Sequence, residues 1–100
     1  MSAIEWLAHE HGVFMREVFP GQSVEACAIK CATEAAELAE NPHDLVEAAD
    51  VLITLLSWCE ASGNPVANLI NAARRKVEIN KARTWVEQAD GTFQHVKDAA

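Results

Sequence analysis

Glycine and proline are scarce in this chain, four and three residues of 100, and tyrosine is absent, whereas Ala and Glu dominate. So few backbone breakers exclude a Gly/Pro-rich disordered or collagen-like chain, and the apolar half of the sequence is enough to drive an ordered helical fold. Positive charge is also short. Eight Lys plus Arg stand against fifteen Asp plus Glu, a formal net charge of -7, which repels phosphate backbones and anionic lipid surfaces, so no nucleic-acid or membrane partner is expected. Long apolar runs are missing: the strongest, Val51 to Leu56 extended to Cys59, falls far short of the roughly 20 residues that span a bilayer. Glu5 stands where a signal peptide would be basic and then apolar, and a cytoplasmic location is expected. One hundred residues are one domain's worth of chain, taken as 1–100. The three cysteines are odd in number, and Cys27 and Cys31, four apart, share a helix face instead of forming a metal knuckle. They read as free thiols behaving as small hydrophobes.

Turn chemistry divides the chain into four helices. Ser2 can cap the first, which Pro20-Gly21 stops, with a kink or break expected at Gly12. Ser23 or Gln22 opens a second helix running to about Glu40, ended by Asn41-Pro42 because proline cannot continue the hydrogen-bond ladder. A third runs from about His43 or Asp44 to Ala61. After Gly63-Asn64-Pro65 a fourth continues to about Arg83. Short connections between four helices predict an all-α, four-helix bundle-like protomer. The remainder holds an Asp90-Gly91 turn and a strand-like Phe93 to Val96, and Ala99-Ala100 should fray.

The third helix carries the chemical signal. From Leu45 to Cys59 it is apolar on nearly every side, and Glu47 and Asp50 are the ionisable residues within it. A helix apolar all round is expected to be buried, and a buried carboxylate costs several kcal/mol unless a partner or a metal neutralises it. Glu34 and Glu37 repeat the three-residue spacing on the second helix, within roughly 60° of each other and of Lys30, at the wetter edge of the apolar stripe. An antiparallel pair of helices joined at Asn41-Pro42 brings the two acidic pairs together, with nine residues between their inner members. Four convergent carboxylates repel one another unless a hard cation is present. Oxygen ligands without His or Cys select Mg2+, with Mn2+ as a substitute, over Zn2+. Lys76, Asn80 and Arg83 form a basic strip at helical spacing that suits phosphate oxygens, and Trp85 can stack on a base or pack.

Glu34-x-x-Glu37, Glu47-x-x-Asp50 and Lys76-x3-Asn80-x2-Arg83-x-Trp85 together resemble the all-α nucleoside triphosphate pyrophosphohydrolases of the MazG-like superfamily, in particular its small dATP/dGTP diphosphohydrolase branch. The resemblance extends from about Trp6 to Lys97, through Glu78 to Trp85 and the tail from Asp90 to Lys97. The spacer between the acidic pairs is shorter than in the general MazG pattern and suits the small branch. The resemblance implies Mg2+-dependent hydrolysis of a nucleoside triphosphate, a purine dNTP in this branch, to the monophosphate and pyrophosphate, by a homodimer or homotetramer. Chemistry read from the residues agrees with it: a cation at Glu34, Glu37, Glu47 and Asp50, water activated by Glu34 or Glu37, and Lys30, Lys76 and Arg83 countering charge on the leaving group. Two rival readings are a di-iron bundle and a non-enzymatic oligomerisation or regulatory module. The first wants Glu-x-x-His on two helices and finds only Glu40 to His43, across Pro42. His9 and His11 read as surface residues.

Overall fold

In a computed structural model of the chain, residues 1–97 are described, and the end at Ala99-Ala100 lies outside them. The first three expected helices form where their caps place them. Ser2 closes a reciprocal capping box, its hydroxyl accepting from Glu5 N at 3.3 Å while Glu5 accepts from Ser2 N at 3.0 Å, and opens α1 (Ala3–Val18). Ser23 accepts from Ala26 N at 3.0 Å and opens α2 (Val24–Glu40). Asp44 accepts from Val46 N at 2.9 Å and opens α3 (Leu45–Ser62), which Gly63 ends in the left-handed conformation at φ +74° that favours glycine. Beyond Pro65 comes α4 (Val66–Lys81).

The chain divides into two compact units, Met1–Leu69 and Ile70–Ala100. In the first, α3 is central: α2 packs along it antiparallel after the Asn41–Asp44 turn, and α1 lies against it as well. Met15, Cys27, Leu56, Cys59 and Val66 make the buried apolar core, and Thr54 is buried with its hydroxyl donating to Val51 O at 2.7 Å. All three cysteines are free thiols.

Two expectations are corrected here. Gly12 does not break α1, which runs unbroken; it is buried where α1 meets α3, and a β-carbon there would lie 3.0 Å from Glu60 Oε2 and 3.2 Å from Arg16 Nη1. The glycine makes room for the Arg16–Glu60 ion pair that joins the two helices. Nor is α3 buried on all sides. With α1 and α2 as its packing partners in this unit, it leaves Leu45 82% and Val46 67% exposed, with Leu52 and Leu55 partly so.

The second unit holds the rest of α4 and an antiparallel ribbon, β1 (Trp85–Glu87) and β2 (Phe93–His95), in the register Trp85↔His95, Val86↔Gln94 and Glu87↔Phe93. The expected Asp90-Gly91 turn closes it: Asp90 Oδ1 accepts from Thr92 N at 3.0 Å and from the Thr92 hydroxyl at 2.7 Å, with Gly91 at φ +86°. The β1 strand is an addition to the four helices expected. It forms because Val96 N, beyond β2, donates to Thr84 O at 2.8 Å and extends the pairing.

Candidate metal and phosphate sites

Helical spacing sets Glu34 and Glu37 one turn apart on α2, and the Asn41–Asp44 turn folds the first turns of α3 back beside them. One carboxylate oxygen from each of Glu34, Glu37 and Glu47 then lies within 4.8 Å of the other two, the one such group of potential metal ligands among the described residues. Asp50, a turn further along α3, stands outside that group, but its charge still acts on Lys30 and Glu47.

Helical spacing alone puts Glu34 at the wetter edge of the apolar stripe. It is instead buried, only 8% exposed, because the α2–α3 contact closes over it. Its Oε1 takes an ion pair from Lys30 Nζ at 3.1 Å, so the lysine expected to meet phosphate is engaged with a site carboxylate. The second oxygen, Oε2, is buried with no hydrogen-bond partner, and so is Oε2 of Glu47. Two orphaned carboxylate oxygens in a group of three acids served by one lysine are what a divalent cation would satisfy, and buried polar atoms without partners are otherwise rare. The donor set fits Mg2+ or Mn2+.

The proton affinities express the same crowding. Hydrogen bonding from Lys30, and then from Glu37, holds the Glu34 carboxyl below its ordinary value. Glu37 is pushed up by its hydrogen bond to Glu34 and by that group's charge. Glu47 is raised first by desolvation and then by the charges of Asp44 and Asp50. Lys30 is raised by Glu34.

In the second unit Lys76 and Asn80 lie on α4, but Arg83 does not. The helix ends at Lys81, and Arg83 N turns back to Asn80 O at 3.2 Å as the chain bends into β1. The helical strip expected through Arg83 is therefore interrupted. Arg83 instead lines a concavity of about 510 Å3 with Ala82, Thr84, His95, Val96 and Lys97. Trp85 donates from Nε1 to Asn80 O at 2.9 Å and meets His95 edge-on, ring centroids 5.9 Å apart. It pins the ribbon to the helix end and keeps 40% of its surface exposed. Asn80 Oδ1 is buried without a partner.

His95 and Lys97 were not singled out from the sequence as site residues. The available signal was their alternation with Phe93, since positions two apart share a face of an extended strand. His11, read as a surface residue, is half-buried and lies 2.7 Å from Ser57 Oγ, and burial lowers its proton affinity.

The chain belongs to the dATP/dGTP pyrophosphohydrolase family, whose sequence profile matches residues 7–100. Its relatives include a dATP/dGTP diphosphohydrolase of Cyanophage S-2L, 35% identical over 57 residues, which are 57% of this chain and 51% of that protein. The chain thus spans about half the length of that curated relative. A solved structure, the Cyanophage S-2L MazG-like pyrophosphohydrolase bound to dGDP and three catalytic Mn2+ ions per active site, matches with a TM-score of 0.77 and 28% identity, covering 97% of this chain and 100% of that one. The all-α MazG-like fold is shared. No helix among the described residues is long and apolar enough to cross a membrane.

Proposed function

We propose that this chain hydrolyses a purine deoxynucleoside triphosphate, dATP or dGTP, to the monophosphate and pyrophosphate. Mg2+ or Mn2+ would be held by Glu34, Glu37, Glu47 and Asp50. The observation that carries this is the pair of buried, partnerless oxygens on Glu34 and Glu47 within the three-carboxylate group. Family membership and the relatives' named activity and bound ions support it.

When bound, a divalent cation supplies charge that draws phosphate oxygens to the carboxylates and makes water a stronger acid. The chain's own residues supply the rest. Glu34 or Glu37 orients a water against the α-phosphorus and accepts its proton. The new bond is from water oxygen to the α-phosphorus, the α–β bridging bond breaks, and its electron pair leaves with pyrophosphate. Lys76 and Arg83, with Asn80 beside them, offset the charge on that leaving group. Lys30 does so only if it lets go of Glu34. The Trp85 ring keeps an exposed part on which a base can stack.

Assembly into a homodimer or homotetramer is part of this reading, because α3 carries Leu45 and Val46 into solvent, and Ile29 on α2 is 68% exposed. So is a cytoplasmic location. The deciding experiment incubates the protein with Mg2+ and each of the four dNTPs, assaying pyrophosphate and orthophosphate separately. Pyrophosphate with dAMP or dGMP is expected; release of orthophosphate alone would refute attack at the α-phosphorus.

A further inference from the structure

We propose that His95 and Lys97 join Arg83 in binding a pyrophosphate group, as a phosphate subsite that the β-ribbon adds to the α4 residues Lys76 and Asn80. The assignment rests on the pyrophosphohydrolase reading and names further side chains for its substrate.

Three observations carry it. The concavity of about 510 Å3 has Arg83, His95 and Lys97 as its ionisable lining residues, all basic, on a chain whose formal net charge is -7. Two fixed cations, Arg83 and Lys97, beside an imidazole in an acidic protein repel each other until an anion arrives. The walls are also fixed. Val96 N donates to Thr84 O at 2.8 Å, and the Trp85↔His95 pairing with its edge-on ring contact holds the imidazole beside the Arg83 turn. The third is the closeness of the charges: Arg83 first, then partial desolvation, then Lys97 and Lys76 hold the His95 proton affinity below its ordinary value. By contrast Lys81, the last residue of α4, is already bound to Glu78 at 3.0 Å and has no part in the group.

A guanidinium, an ammonium and an imidazole around one concavity match a group with several adjacent phosphate oxygens: Arg supplies a planar fork, Lys a point charge, and His a directed N–H. Two linked phosphates fill such a set better than one. The ligand class is therefore the pyrophosphate moiety, either as the terminal phosphates of the substrate or as released product.

The test titrates the full chain, free of divalent cations, with inorganic pyrophosphate and separately with dGMP, following the His95 ring resonances by NMR, assigned with His95→Gln. Pyrophosphate is expected to move the His95 signal saturably and dGMP to leave it in place. Lys97→Ala should weaken pyrophosphate about tenfold, the scale of one charge-assisted hydrogen bond, and Lys81→Ala should not. A His95 signal unmoved by pyrophosphate, an equal response to dGMP, or equal losses in the two lysine variants would each overturn the assignment. Turnover of dATP and dGTP by the unaltered protein is measured alongside. Absent turnover with a saturable His95 shift would refute the hydrolase reading and leave an anion site; turnover without the shift would do the reverse.

Discussion

Glu47 is the residue on which the metal-site reading turns, because it joins a buried, unpartnered oxygen to a position beside two other acids. Glu47→Gln removes a ligand and a desolvated charge together, so it should act in opposite directions on two readouts. Turnover should fall by at least on the order of 100-fold, while the melting temperature of the metal-free protein should rise. Millimolar Mg2+ or Mn2+ should raise the melting temperature of the unaltered protein and leave the variant's nearly unchanged. A cation-independent melt of the unaltered protein would support a non-enzymatic helical module instead. The same carboxyls set a pH dependence. Glu37 and Glu47 bind their protons more tightly folded than at the ordinary value of 4.5, so across the range just above that value the folded state holds more protons than the unfolded one. These two carboxyls should therefore add stability to the metal-free protein as pH falls toward 4.5, while His11 and His95, whose proton affinities are lowered, work the other way as pH falls from neutral. The carboxyl share is read as the difference in slope between the unaltered protein and Glu47→Gln, and a saturating divalent cation should flatten that difference. Glu34, whose proton affinity is lowered, works the other way, its contribution being lost only below that range. Thermal melts over a pH series, with and without Mg2+, check this.

At the scale of elements, whatever local chemistry determines could be read directly. Ser2, Ser23, Asp44 and Gly63 fix helix ends through side-chain caps or a left-handed turn, each a matter of a few neighbouring residues. The carboxylate meeting was readable for the same reason, since helical spacing and a short turn leave α2 and α3 little choice. What depended on partners distant in sequence was not. Gly12 reads as a break because its propensity is poor, yet its role is set by Glu60 across the helix contact. Glu34 reads as an edge residue because its neighbours are mostly Ala and Glu, yet α3 covers it. Arg83 leaves its helix because Val96 recruits Thr84 into the ribbon. Gly12 gives a direct check. A methyl there meets only the ends of two flexible side chains, and alanine gains about 1 kcal/mol of helix propensity. Gly12→Ala should thus shift stability by about 1 kcal/mol or less, whereas Gly12→Leu should destabilise by about 1–3 kcal/mol through overpacking. Urea unfolding of the two variants separates this close-approach role from a hinge.

For the molecule as a whole, the apolar composition of α3 and its exposure are a single fact seen twice. One chain leaves Leu45 and Val46 in water, and patches of that kind are sites of association. Sedimentation should find a dimer or tetramer, and Leu45→Lys combined with Val46→Lys should shift it toward the single chain. Retention of the full assembly in that double variant would assign the contact to another face. The Lys30–Glu34 pair has a consequence for how such a protein fares before any ion reaches it. The ammonium is a resident placeholder: it neutralises the most deeply set acid, so newly made chains can pack α2 on α3 without waiting for a mineral. An ion held by Glu34 and Glu47 would take the oxygens that the ammonium leaves open, so that lysine and metal would share one acid between them.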